Sequence, residues 1–276
     1  MIYNTPMPIL TKAEFDRIRS RPPGSTFTLM VDFGRRGVTV HRQPDSALLD
    51  GRHRLGLDAK IKPKSCYLLE QEEIMPLAFF DENTNIYYKL IPTRDWPTIS
   101  FSSVPMHRRD SPRTDTENKL RILRPRGRLL DTCMGLGYSA LLGSRTAREV
   151  HTYEIDTNVT GLARVNPWSQ EAFSTPSIHC HQGNIAAAIE KFPSRCFDSV
   201  LHDPPTFTLS PDLYSDVFYA ALKRILRPGG TLFHYAPRYK MTHGYDFPAK
   251  TQRRLRAAGF TDCRLFRKEG GILCRR

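Results

Sequence analysis

From Ser25 to about Ser103 the apolar positions fall into short, alternating runs separated by turn residues, each run the length of a strand. Strands are predicted at Thr26–Asp32, Val38–His41, Ser65–Leu69, Ile86–Ile91 and Thr98–Phe101. Asp50-Gly51 and Asp81-Glu82-Asn83 read as turns. Ahead of these runs, Thr11 to Arg19 reads as a helix that stops at Arg21-Pro22-Pro23-Gly24. Beyond Arg128 the period changes. Strand-length runs at Arg128–Thr132, Glu149–Glu154, Ser177–His181, Ser199–His202 and Thr231–Tyr235 alternate with helix-length segments at Tyr138–Ser144, Asn158–Val165, Ile185–Phe192, Asp212–Leu226 and Pro248–Ala258.

Strand–helix alternation predicts an α/β domain with a parallel sheet. The ending departs from it. Asp262–Arg267 and Gly271–Arg275 are separated only by Lys268-Glu269-Gly270, a hairpin connection. Residues 1–115 are therefore expected to form a small, mostly-β accessory or substrate domain. The polar stretch Arg108–Thr116 serves as its linker, and 116–276 form the catalytic domain.

Net charge sharpens the division. The chain carries +13 at pH 7. Residues 1–115 hold 17 Lys/Arg against 14 Asp/Glu, whereas 116–276 hold 24 against 14. The excess sits in the catalytic half, the expectation for a domain that meets a polyanion such as RNA, though a solvated Arg-rich surface has the same count. Six scattered cysteines with no CxxC pair imply neither a disulfide framework nor a zinc motif. His179-Cys180-His181 puts two imidazoles on one strand face with no further ligand nearby in sequence, and is read as plain strand. No metal is expected. No run reaches the roughly 20 apolar residues of a membrane span, and Met1–Leu10 lacks signal-peptide character, so a cytoplasmic or nuclear protein is expected.

The chemistry concentrates at three strand ends. Asp131-Thr132-Cys133-Met134-Gly135-Leu136-Gly137-Tyr138 is a strand, a glycine turn and a helix start, and glycines at 135 and 137 let backbone approach a ligand closely. Glu154 ends the next strand, near the spacing of a ribose-binding acid in a dinucleotide fold. It supports nucleoside binding without choosing between nicotinamide and sulfonium cofactors. The fourth strand runs into Asp203-Pro204-Pro205-Thr206-Phe207. An Asp side chain and a Pro carbonyl together accept two hydrogens from an amine-like nitrogen and hold its lone pair towards an electrophile. Phe207 offers a face on which a flat base stacks. Such a site methylates nitrogen by positioning.

These three motifs resemble motifs I, II and IV of class I S-adenosylmethionine (SAM)-dependent methyltransferases, and the Asp-Pro-Pro-x-Phe form is similar to that of enzymes methylating bases in ribosomal RNA. The combination Pro97-Thr98, Met106-His107-Arg108, Asp131–Tyr138, Glu154-Ile155-Asp156 and Leu162–Trp168 looks closer still to a family of predicted archaeal methyltransferases. The resemblance implies a Rossmann-like sheet, parallel with a C-terminal antiparallel hairpin. It also implies SAM as cofactor, with Gly135 and Gly137 facing its methionine half, Asp131 helping to hold its amino group, Glu154 its ribose and Asn184 its adenine amine. Asp203, Pro204, Pro205 and Phe207 then form the catalytic corner. Cys133 stands where a further glycine is common, and reads as small and buried.

N-methylation of a nucleobase in RNA is the leading expectation. Methylation of a small-molecule amine is an alternative, as is aminopropyl transfer from decarboxylated SAM. The last reaction wants an acidic pocket, and this half is short of acids. Trp168, Tyr214 and Phe218 are expected to pack. Met106-His107-Arg108-Arg109 reads either as a solvated linker or as a grip on cofactor or phosphate.

Overall fold

A computed structural model describes residues 7–107, 110–236 and 246–276. Two compact units divide the chain, Met1–Pro112 with Val165–Trp168, and Arg113–Arg164 with Ser169–Arg276.

The first unit is antiparallel throughout. Its elements are β1 (Ile9–Thr11), α1 (Lys12–Arg19), β2 (Thr26–Val31), β3 (Arg36–Arg42), β4 (Ser46–Leu49), β5 (His53–Gly56), β6 (Cys66–Glu70), β7 (Glu73–Pro76), β8 (Ala78–Asp81), β9 (Ile86–Ile91), β10 (Thr98–Phe101) and β11 (Val104–Pro105). Three sheets result, ordered β1-β6-β7, β2-β3-β4-β5 and β11-β10-β9-β8. Helix α1 starts with a capping box in which Thr11 and Glu14 satisfy each other's backbone ends. It buries Phe15 and Ile18 against Leu29, Val31, Val38, Val40, Leu49 and Leu55. The predicted strands are present. The short β4, β5, β7 and β8, of four residues each, were not expected, because so few positions carry little periodicity.

The second unit opens with α2 (Pro112–Leu123), which replaces the expected linker end. Proline at the first helical position suits a helix start, and Leu120, Ile122 and Leu123 are buried. There follow β12 (Arg128–Asp131), α3 (Tyr138–Gly143), β13 (Glu149–Glu154), α4 (Thr157–Val165), α5 (Gln170–Ser174), β14 (Ile178–Gln182), α6 (Ile185–Ala188), β15 (Phe197–His202), α7 (Asp216–Ile225), β16 (Leu226–Tyr235), α8 (Phe247–Ala257), β17 (Thr261–Phe266) and β18 (Gly271–Arg275). Two expected helices are shorter. Ile189–Lys191 and Pro211–Tyr214 are 3-10 turns, and Ser215 caps α7 by accepting from the Phe218 amide.

The sheet order is β14-β13-β12-β15-β16-β18-β17. Strands β12 to β16 pair in parallel, and β18 enters antiparallel beside β16 through the terminal hairpin. This is the Rossmann-like methyltransferase sheet that was expected. Strand order reverses at β12, whose neighbours are β13 and β15. Ligands of open α/β sheets bind outside the carboxyl ends at such a switch point, and Asp131 and Asp203 both stand there. No helix among the described residues is long and apolar enough to cross a membrane.

Candidate functional site

Met134 to Gly137 form a tight turn beyond β12, closed by the Gly137 amide donating to the Met134 carbonyl at 2.8 Å. Gly135 and Gly137 have φ of 55° and 77°, a region that side chains rarely enter. A Cβ on Gly137 would also press on Ala172 at 3.3 Å. Glu154, at the end of β13, is turned onto this loop. One carboxylate oxygen accepts from the Gly135 amide at 2.9 Å and the other from the Asp156 amide at 3.0 Å. Burial raises the Glu154 carboxyl above its ordinary value, and these amides partly oppose the rise.

Asp131 is fully buried. Its Oδ2 accepts from the Ser139 hydroxyl at 2.7 Å and the Thr152 hydroxyl at 2.9 Å. Oδ1 has no aligned partner among the described residues, and the Cys133 amide lies near the carboxylate and lowers its pKa. With no cation against it, desolvation lifts the carboxyl to about 7, although both hydroxyls pull it down. Asn184 caps α6, its side-chain oxygen accepting from the Ala186 amide at 2.8 Å, which leaves one lone pair on that oxygen and the NH2 hydrogens to meet a ligand.

The second corner follows β15. Asp203 Oδ2 meets the Lys119 ammonium at 2.5 Å, and the same ammonium meets Asp115 Oδ2 at 2.5 Å. Both Asp115 and Lys119 lie on α2, one helical turn apart. Lys119 also stands 4.3 Å from the centre of the Tyr235 ring. Its side chain is 7% exposed, that of Asp203 28%. Burial works to discharge Lys119, but Asp203 and Asp115 outweigh it and hold the ammonium charged. Burial likewise raises the Asp203 carboxyl, and Lys119 opposes that. Asp203 Oδ1 and the Pro204 carbonyl have no hydrogen-bond partner among the described residues. The Pro205 carbonyl is taken, by the Tyr214 hydroxyl at 2.6 Å. Phe207, 46% exposed, meets the Tyr214 ring edge-on at 5.7 Å.

Beneath the proline corner lie two fully buried histidines. His202 Nε2 is 3.0 Å from the Leu213 carbonyl, which can only accept, so Nε2 carries the proton and Nδ1 accepts from the Thr132 hydroxyl at 2.8 Å. That hydroxyl has one hydrogen, so at its 3.7 Å approach to Cys133 Sγ the protonated thiol is the donor. By the same accounting His234 Nδ1 donates to the Tyr235 carbonyl and Nε2 accepts from the Tyr219 hydroxyl. Burial keeps both rings neutral, His202 well below its ordinary value and His234 at about 4. Burial also raises the Cys133 thiol, leaving it protonated and unreactive.

The folded chain thus brings Asp131, Gly135, Gly137 and Glu154 together, and sets Asp203, Pro204, Pro205 and Phe207 after the neighbouring strand. Sequence reasoning missed Lys119 and Asp115. Elsewhere, Trp168 packs against Trp96, ring centres 5.7 Å apart, and under Arg35. Tyr214 and Phe218 are buried. Of the basic tetrad, Arg108 and Arg109 lie outside the described residues, and His107 Nδ1 is 2.9 Å from the Thr98 hydroxyl.

No protein-family model matches the chain. Over 212 residues it is 38% identical to Uncharacterized protein MJ1233 of Methanocaldococcus jannaschii, covering 75% of this chain and 72% of that one. A shorter stretch of 108 residues is 31% identical to polyamine aminopropyltransferase 2 of Streptomyces coelicolor, covering 37% of this chain and 20% of that one. Among solved structures, a spermidine synthase in complex with the transition-state analogue AdoDATO superposes with a TM-score of 0.59. That match is at 16% identity over 72% of this chain and 71% of the synthase, and shows a shared fold.

Proposed function

Since the chain belongs to the same family as Uncharacterized protein MJ1233 of Methanocaldococcus jannaschii, we propose for it a SAM-dependent methyltransferase activity on a ring or exocyclic nitrogen of a nucleobase in RNA. Asp131 supports the cofactor half of this reading. Its orphaned oxygen and raised pKa describe a buried carboxylate that lacks a cation, and the amino group of SAM is one. Gly135 and Gly137 leave room for the methionine portion, and Glu154 still has acceptor capacity for a ribose hydroxyl, since the amides of Gly135, Ile155 and Asp156 use three of about four lone-pair sites on its two oxygens. SAM, when bound, supplies an electrophilic methyl group.

One observation carries the acceptor half: the Asp203 corner already contains an ammonium. Lys119 sits between the two carboxylates that would otherwise draw a cation. A second ammonium on Asp203 Oδ1 would lie within a few ångströms of the first, and like charges at that range repel by about 4 kcal/mol at a protein surface. A neutral planar nitrogen meets no such penalty. Its hydrogens have Asp203 Oδ1 and the Pro204 carbonyl to go to, its lone pair is left for the methyl, and its ring has the half-exposed face of Phe207. The N–H proton released on methylation leaves to solvent. The positive balance of residues 116–276 supports an RNA rather than a free base.

Aminopropyl transfer is the second reading. It is favoured by the two carboxylates themselves and by the likeness to an aminopropyltransferase and a spermidine synthase. Paired incubations separate the two. Methyl-labelled SAM with bulk RNA is expected to label RNA, and Asp203→Asn to lower the rate at least a hundredfold while SAM still binds. Product from decarboxylated SAM and a diamine, with no label in RNA, would replace the methyltransferase reading by the second.

A further inference from the structure

At the opposite end of the same strands from the glycine turn lies a second cluster of chemistry-bearing side chains. Glu149 and His151 lie two apart on β13, and His179 and His181 two apart on β14, so each pair shares a strand face. The parallel register sets His151 beside His179. Glu149 Oε1 is 2.9 Å from His151 Nε2 and 3.4 Å from His179 Nε2. The three ligand atoms all lie within 4.8 Å of one another. His151 and His181 stack in parallel planes, with His151 Nδ1 3.1 Å from His181 Nε2.

Without a metal the protons do not fit. Arg128 Nη2 lies 2.9 Å from His151 Nε2 and can only donate, so Nε2 must offer it a lone pair. Glu149 Oε1 lies equally close to Nε2 and can only accept, so it requires a proton there. A neutral ring cannot do both. A divalent cation takes lone pairs from Nε2 and Oε1 together, and Arg128 Nη2 gives up its contact with Nε2. Arg128 then keeps the other oxygen, since its Nε is already 2.8 Å from Glu149 Oε2.

We propose that Glu149, His151 and His179 form a zinc site that ties the edge strand β14 to β13. Two imidazoles and a carboxylate, with water in the fourth position, are a zinc donor set. Zinc bonds of that kind place ligand atoms about 3.4 Å apart in a tetrahedron, close to two of the separations here. The widest one closes by rotation of His179, 43% exposed and the point of entry for the ion. The outer shell is in place, because a metal-bound imidazole needs a partner for its other N–H and His151 Nδ1–H has His181 Nε2. This site is independent of the methyl-transfer reading.

The test is titration of chelator-treated full-length protein with zinc, read by calorimetry and by melting temperature. Cobalt substitution then reports ligand type. One equivalent of zinc, a higher melting temperature, and a cobalt spectrum without a thiolate charge-transfer band are expected. His179→Ala, an exposed change that spares the fold, is expected to weaken binding at least tenfold, and Glu149→Gln likewise. No binding, equal binding in both variants, or a thiolate charge-transfer band would overturn the proposal.

Discussion

Asp131 and Asp203 close neighbouring parallel strands, and their environments are opposite. Asp203 has a cation built in, Lys119, which is itself shared with Asp115. Among the described residues Asp131 has two hydroxyl partners and the Cys133 amide, an oxygen with no aligned partner, and no cation. A buried carboxylate without a cation either protonates or waits for one to arrive. On the proposed function the contrast separates two ligand chemistries: at Asp131 the ligand would bring the positive charge, and at Asp203 one is in place before a ligand arrives.

The comparison breaks most visibly if the built-in cation is removed. Lys119→Met removes a buried ammonium from between two partly buried carboxylates and is expected to destabilise the protein by about 3–5 kcal/mol, measured by denaturant unfolding. Asp131→Asn is expected to act in the opposite direction on the ligand-free protein. The folded-state value of about 7 stands above the 3.8 of an ordinary aspartate, so the folded chain binds this proton first as pH falls. The group therefore favours the fold at low pH and opposes it above 7. Removing the charge should stabilise the free protein at pH 8 by up to roughly 4 kcal/mol, by roughly 1.7 kcal/mol at pH 5, and by little below about pH 4. Destabilisation at pH 8 would mean that Asp131 has a cation the contrast denies it.

Below the proline corner the sign reverses. His234 titrates at about 4 when folded against 6.5 in the open chain, so its contribution is present above 6.5 and lost as pH falls towards 4. Roughly 3 kcal/mol of stability should disappear over that window, and the equally buried, neutral His202 adds in the same direction. A melting temperature flat between pH 6.5 and 4.5 would count against neutral buried rings. The smallest effect concerns the Pro205 carbonyl. Tyr214→Phe removes its donor and should cost about 1 kcal/mol, with the larger change in KM because the proline loop is less well held.

What was legible in the sequence was local. The Asp131–Gly137 turn, Glu154 at a strand end, the Asp203-Pro204-Pro205 corner and the terminal hairpin each occupy a few consecutive residues, and the sheet order follows from them. Lys119 was not legible as a site residue because its partner is 84 positions away. The helix that carries it was. Pro112 at its start, the Asp115–Lys119 spacing and the apolar Leu120, Ile122 and Leu123 are helix signals, obscured by the polarity of Arg108–Thr116. The Glu149–His151 and His179–His181 pairs lie about 30 residues apart in sequence and adjoin only through the parallel register. His179-Cys180-His181 seemed to lack further ligands for that reason. The Pro205 carbonyl was an eligible acceptor on paper, and only the fold shows Tyr214 occupying it.

The most direct test is calorimetric titration of SAM into wild-type protein and Asp131→Asn, at pH 5.5 and pH 7.0, where the SAM amino group stays charged. Ionising Asp131 across that interval should tighten wild-type binding by about tenfold, and the variant should bind more weakly with no comparable pH dependence. Absence of SAM binding, or a variant that binds as tightly as wild type at pH 7.0, would contradict the claim that the cofactor supplies the cation missing at Asp131.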